Sequence, residues 1–116
     1  MASHPSPTLF AVDHHRVQEL DWASFPAGDG VRQKALYTDG PVTAGLLLFG
    51  PDARELTHMH RDGEHHIWVL RGSLLVDETR LEAGSYLHVP SHLWHSITAG
   101  AAGCQAFYVY CPTGHG

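Results

Sequence analysis

From residue 31 onward, apolar and polar positions alternate with a period of two, and clusters of Gly or Pro interrupt the alternation at short intervals. Segments 31–37, 42–49, 54–60, 65–70, 73–77, 85–89, 93–98 and 105–110 therefore read as strands. Between them lie turn signals: "PAGDG" (26–30), "TDGP" (38–41), "GPD" (50–52), "RDG" (61–63), "RG" (71–72), "EAG" (82–84), "VPS" (89–91) and "AGAAG" (99–103). No segment sustains a three-to-four-residue apolar repeat, so helix is confined to a turn near "DWASF" (21–25). Short strands at this spacing predict a sandwich or barrel. Residues 1–12, with Pro5 and Pro7, read as an N-terminal arm, 13–112 as the barrel, and 113–116 as a tail that frays.

Composition narrows the function classes. A chain of 116 residues with 43% hydrophobic content makes one domain with a core of its own. The formal net charge is −5 and the seven Lys and Arg residues are scattered, which leaves no footprint for a nucleic-acid backbone. The opening "MASHPSPTLF" has neither the basic nor the apolar region of a signal peptide, and "LLLF" (46–49) is too short to span a bilayer. The expectation is a soluble cytoplasmic protein without a membrane partner. Cys104 and Cys111 are separated by six residues, hence on opposite faces of an extended strand, and read as buried thiols rather than a disulfide or a zinc knuckle.

Histidine is over-represented. Eleven histidines are present, and seven fall into two groups, at 58, 60, 65 and 66 and at 88, 92 and 95. His4, His14, His15 and His115 read as ordinary surface or half-buried residues. In a strand, residues two apart share a face, so His58 and His60 point the same way as Leu56, toward the interior. Imidazoles aimed into a core must be bonded to something. Counting back from Gly72, Val69, Ile67 and His65 form one β-branched inner face, while Leu70, Trp68, His66 and Glu64 take the other. Glu64 sits at the tip of the hairpin, where a bulge is able to turn it inward. The same parity in "LWHSI" places Leu93, His95 and Ile97 inside.

"HMHRDGEHHIWVLRG" (58–72) resembles the first signature of the cupins, and "GSYLHVPSHLWH" (84–95) resembles the second. The resemblance spans roughly residues 31 to 111. It implies an antiparallel double-stranded β-helix, the all-β jelly-roll or cupin barrel, and carries the family's metal ligands by position onto His58, His60, His65 and His95. His65 stands where most cupins have glutamate, which makes a four-histidine site. Three further departures fall at turns: Asp52 occupies the place of the first motif glycine, His92 replaces the glycine after the motif proline, and Ala99 replaces the trailing asparagine. Asp is among the residues that best tolerate left-handed backbone geometry.

Four neutral imidazoles suit one divalent transition metal, Fe, Mn, Zn, Ni or Cu, and suit Mg or Ca poorly. Glu64 then has the role of orienting a ligand imidazole, or of being a ligand itself. Tyr86 and His88 share a strand face and are candidates for a pocket wall. His92, in a turn near the metal, is a candidate acid or base. His66 and Trp68 read as packing residues under the N-terminal arm or at a homodimer interface. Two functions compete. One is an Fe- or Mn-dependent dioxygenase acting on a small oxygen-rich or carbonyl compound. The other is a zinc-binding sensor or regulatory module, because "DWASFPAGDGVRQKALYTD" (21–39) and the Gly103–Cys104 pair resemble the cupin domain of bacterial anti-sigma factors. The sequence shows no helical sigma-binding region, so a complete regulator of that type is not expected.

Overall fold

The computed structural model describes residues 8–25, 28–55, 63–93 and 96–112. Its elements are helix α1 (His14–Glu19) and strands β1 (Ala23–Ser24), β2 (Gly28–Asp39), β3 (Val42–Glu55), β4 (Gly63–Val76), β5 (Thr79–Glu82), β6 (Tyr86–Val89) and β7 (Ile97–Pro112). All strand pairs are antiparallel, in the order β1-β2-β3-β7-β4-β5, with β6 laid against β4. The strand alternation of the sequence thus becomes an all-β sheet with one face buried. Val31, Leu47, Phe49, Ile67, Val69 and Leu74 are each at most 2% exposed and lie in a single core. Among the described residues no helix is long and apolar enough to cross a membrane.

Three of the expected turns are not turns. "GPD", "RG" and "AGAAG" lie inside β3, β4 and β7, where the ladders shift register between Phe49 and Arg54, between Val69 and Arg71, and between Gly72 and Leu74. Asp52, Gly72 and Gly103 adopt φ of 58°, 76° and 79° at these places. A left-handed residue bends a strand as readily as it reverses one, and the neighbouring ladder decides which. Here the three strands bend together at one level. A side chain on Gly103 would lie 2.6 Å from the Phe49 carbonyl oxygen, and one on Gly72 would collide with the Gly103 carbonyl. The bends also switch parity: in β4 the buried positions run 63, 65, 67, 69 and then 73, 74.

Two more expectations are corrected. The helix lies at His14–Glu19, upstream of "DWASF", which forms β1 and its approach. It has no buried residue, hence no apolar stripe to read, and is started by the Asp13 side chain accepting the Arg16 backbone N–H at 2.9 Å. Leu93, expected on the inner face with Ile97, is 50% exposed while Ile97 is 1% exposed. The strand begins only at Ile97, so alternation cannot be extended back to Leu93.

Lys34 is the unusual core residue, 5% exposed on β2. Its ammonium donates to the Val17 carbonyl at 2.8 Å and sits 4.5 Å above the Trp22 ring. A buried cation must be bonded to persist, and these two partners tie the N-terminal segment to the sheet.

Candidate metal centre

Parity along β4 decides which histidine faces inward. His65 is 8% exposed on the core side of β4, in line with Ile67 and Val69, while Glu64, His66, Trp68 and Leu70 are on the outer side. Its neighbours across the ladders are Val89 of β6 and Tyr110 of β7. The imidazole lies 4.9 Å from the Tyr110 ring and 5.9 Å from the Tyr108 ring. Gly63 makes this arrangement possible, since a Cβ there would fall 2.5 Å from the Tyr110 hydroxyl. Tyr108 is 3% exposed, donates to Gln33 Oε1 at 3.5 Å, and burial pushes its phenol above the usual range. The other expected ligands, His58, His60 and His95, lie outside the described residues.

The two tyrosines flanking His65 were not singled out by the sequence. Their "YVY" spacing signals a shared face, but not that β4 is the neighbouring strand. His92 is exposed with φ of 62°, and Asp52 with φ of 58°, so both motif departures occupy the left-handed geometry that a glycine would have supplied.

On the outer face, no bulge brings Glu64 inward. Its carboxylate instead accepts from two imidazoles: His66 Nε2 stands 3.0 Å from Oε1 and His88 Nε2 stands 3.2 Å from Oε2. These bonds, His88's the larger effect and then His66's, hold the Glu64 carboxyl below the usual carboxylate range. Strand register explains the meeting. Glu64 and His66 are two apart on β4, and His88 is directly opposite His66 on β6. The two rings stack with centroids 5.0 Å apart, and Tyr86 Oη bonds His66 Nδ1. Tyr86 and His88 do share a face, as expected, and that face is exposed. The arm residue Phe10 packs on Tyr37, with centroids 5.1 Å apart, rather than on His66 or Trp68.

Burial also sets the thiols apart. Cys104 is buried, with its thiol pushed up to about 11 by desolvation, and Cys111 is half-buried; both are free.

The model of the family described as the ChrR Cupin-like domain matches residues 12–113. The chain belongs to this cupin family. Among solved structures, a chain of the Rhodobacter sphaeroides complex of SigE with the anti-sigma ChrR is 27% identical, with a TM-score of 0.68. That match covers 83% of this cupin and 51% of the other chain, so this cupin corresponds to about half its length. KdgF from Halomonas sp. superposes with a TM-score of 0.74 at 20% identity, covering 91% and 94% of the two chains. An acetylacetone dioxygenase from Acinetobacter johnsonii gives 0.70 at 14% identity, covering 95% and 77%. The latter two show a shared fold. No curated protein matches this cupin.

Proposed function

We propose that this cupin is a binding and sensing module that holds one divalent transition metal in its interior through His58, His60, His65 and His95, zinc being the favoured ion. The observation that carries this reading is the family match along residues 12–113, joined by 27% identity to a chain of the anti-sigma complex. The donor chemistry fits. His65 is an imidazole buried on the inner face beside two phenols, with no carboxylate on its own strand face, and such nitrogen donors suit a first-row transition ion rather than Mg or Ca. When bound, the metal supplies a Lewis-acid position for an oxygen-bearing small ligand. The protein's own residues shape that position: Tyr108 and Tyr110 wall one side of His65, and Ile67 and Val69 exclude water beneath it.

A second reading, an Fe- or Mn-dependent dioxygenase for a small carbonyl compound, is favoured by the histidine at position 65. A donor set without ligand charge leaves the ion's charge uncompensated and, on an octahedral ion, two positions open to a chelating substrate. The exposed Trp68 and Leu70, at 51% and 43%, support a homodimer built on the outer face.

Elemental analysis of wild-type and His65→Ala protein, each purified without added metal, separates the readings by the metal that is lost with His65. Zinc that resists competition by Fe(II), with no oxygen uptake in the presence of β-diketones or catechols, supports the module. Bound iron or manganese together with ligand-dependent oxygen uptake would replace it with the oxygenase. His65→Ala should lose the interior metal; full retention of that metal would refute the ligand assignment under either reading.

A further inference from the structure

We propose that Glu64, His66 and His88 form a second metal site, on the outer face of the sheet, which takes a zinc-like divalent ion through one carboxylate oxygen and two imidazole nitrogens. This site shares no residue with the interior histidines and does not rest on the function proposed above.

The three donors are already gathered within reach of a single ion. Ligands bound at 2.0–2.1 Å around a tetrahedral zinc stand roughly 3.3 Å from one another. Glu64 Oε1 stands 3.0 Å from His66 Nε2 and Glu64 Oε2 stands 3.2 Å from His88 Nε2, so each imidazole meets its own oxygen, and one ligand atom from each of the three residues lies within 4.8 Å of the others. Small side-chain rotations bring the two nitrogens to a common centre. All three residues stand on paired strands rather than on loops, with His66 and His88 in register across β4 and β6, so the donors are held in place before any ion arrives. Carboxylate plus two imidazoles is also the donor type that zinc and non-haem iron accept while keeping a further position open. In the single chain that position is open, because the three side chains are between 28% and 43% exposed.

Tyr86 completes the arrangement. Without metal, the Glu64 carboxylate has no proton to give, so His66 Nε2–H donates to it, and the Nδ1 of a neutral ring is left to accept from the Tyr86 hydroxyl. With a metal at Nε2, the neutral ring carries its proton on Nδ1, and the tyrosine hydroxyl turns to accept it. A hydroxyl serves in both states. In this site Tyr86 is therefore a positioning residue. Ligating histidines commonly have their other ring nitrogen held by such a partner.

The test is zinc binding to the full chain by isothermal titration and equilibrium dialysis, repeated with Co(II), whose absorption reports nitrogen coordination. His65→Ala isolates the outer site, and in that background Zn(II) should still bind with about one equivalent. Adding His88→Ala or Glu64→Gln should weaken this binding by more than about 100-fold, and Tyr86→Phe by roughly 10- to 100-fold, the range of an orienting partner. Wild type against His88→Ala gives the same answer should His65→Ala fail to fold, since His88 is exposed. If the interior binds no metal, wild type and His65→Ala will share one equivalent that His88→Ala abolishes, so the two readings fail separately. Equal zinc affinity and stoichiometry with and without His88 and Glu64 would overturn the outer site, as would a Tyr86→Phe protein indistinguishable from wild type in the role given to Tyr86.

Discussion

Gly72→Ala tests the shared bend of β3, β4 and β7, on which the orientation of the whole first half of β4 depends. Gly72 has φ of 76°, and an alanine in the left-handed region costs about 1–2 kcal/mol on its own. The new Cβ would also meet the Gly103 carbonyl carbon at 2.9 Å and Cys104 Cα at 3.0 Å, and would overlap the Gly103 carbonyl oxygen. These are backbone atoms and cannot rotate away. Relief requires β4 to part from β7 at the Gly72–Cys104 pair, where Leu74 and Cys104 are packed. Losing one or two ladder hydrogen bonds at about 1 kcal/mol each, with some core packing, brings the expected cost to about 3–5 kcal/mol. Gly40→Ala is the control. Gly40 has φ of 57° with nothing within 4 Å of the added Cβ, so only the conformational cost applies, about 1–2 kcal/mol. Equilibrium urea unfolding of the three proteins should therefore separate the two variants by about 2–3 kcal/mol with unchanged m-values. A difference below about 0.5 kcal/mol would refute the close approach of the strands as the reason for glycine at position 72.

Lys34→Met keeps the aliphatic stem while removing the charge above Trp22 and the bond to Val17. It should destabilise by about 1–2 kcal/mol, with non-additivity in a cycle with Trp22→Leu that would vanish if the ring contact contributed nothing. Cys104 and Tyr108 are buried neutral acids whose folded values are raised, Cys104 to about 11. The unfolded chain releases these protons first, so their contribution is intact below the unfolded values and lost as pH rises through the folded ones; unfolding by urea at increasing pH above 9 should show falling stability, and a flat profile would contradict the assignment. At pH 8, Ellman's reagent should modify Cys111 quickly and Cys104 only at the rate of unfolding. Chelation with confirmed loss of metal should lower the melting temperature, and metal occupancy should fall as pH drops below about 6.5, where protons compete for the imidazoles.

Much of this protein is local in origin. Strand alternation depends only on the direction of successive Cβ atoms, so residues 65, 67 and 69 could be assigned to the interior, and Glu64, His66 and Trp68 to the exterior, before any partner strand was known. The histidine spacing and the paired signatures pointed to a cupin in the same way, and Asp52 and His92 fell at left-handed positions where short polar residues are tolerated. What alternation cannot supply is the identity of the strand across the ladder. That β7 lies beside β4, bringing Tyr108 and Tyr110 to His65, and that β6 sets His88 against His66 and Glu64, are consequences of long-range register. The same limit made bends look like turns: a left-handed glycine reports local backbone geometry, and only the adjacent strands at Phe49 and Gly103 determine that the chain continues past Gly72 instead of doubling back. Sequence set which face each side chain takes because that choice is made residue by residue; tertiary structure set which side chains meet, because that depends on two distant segments being held in one register.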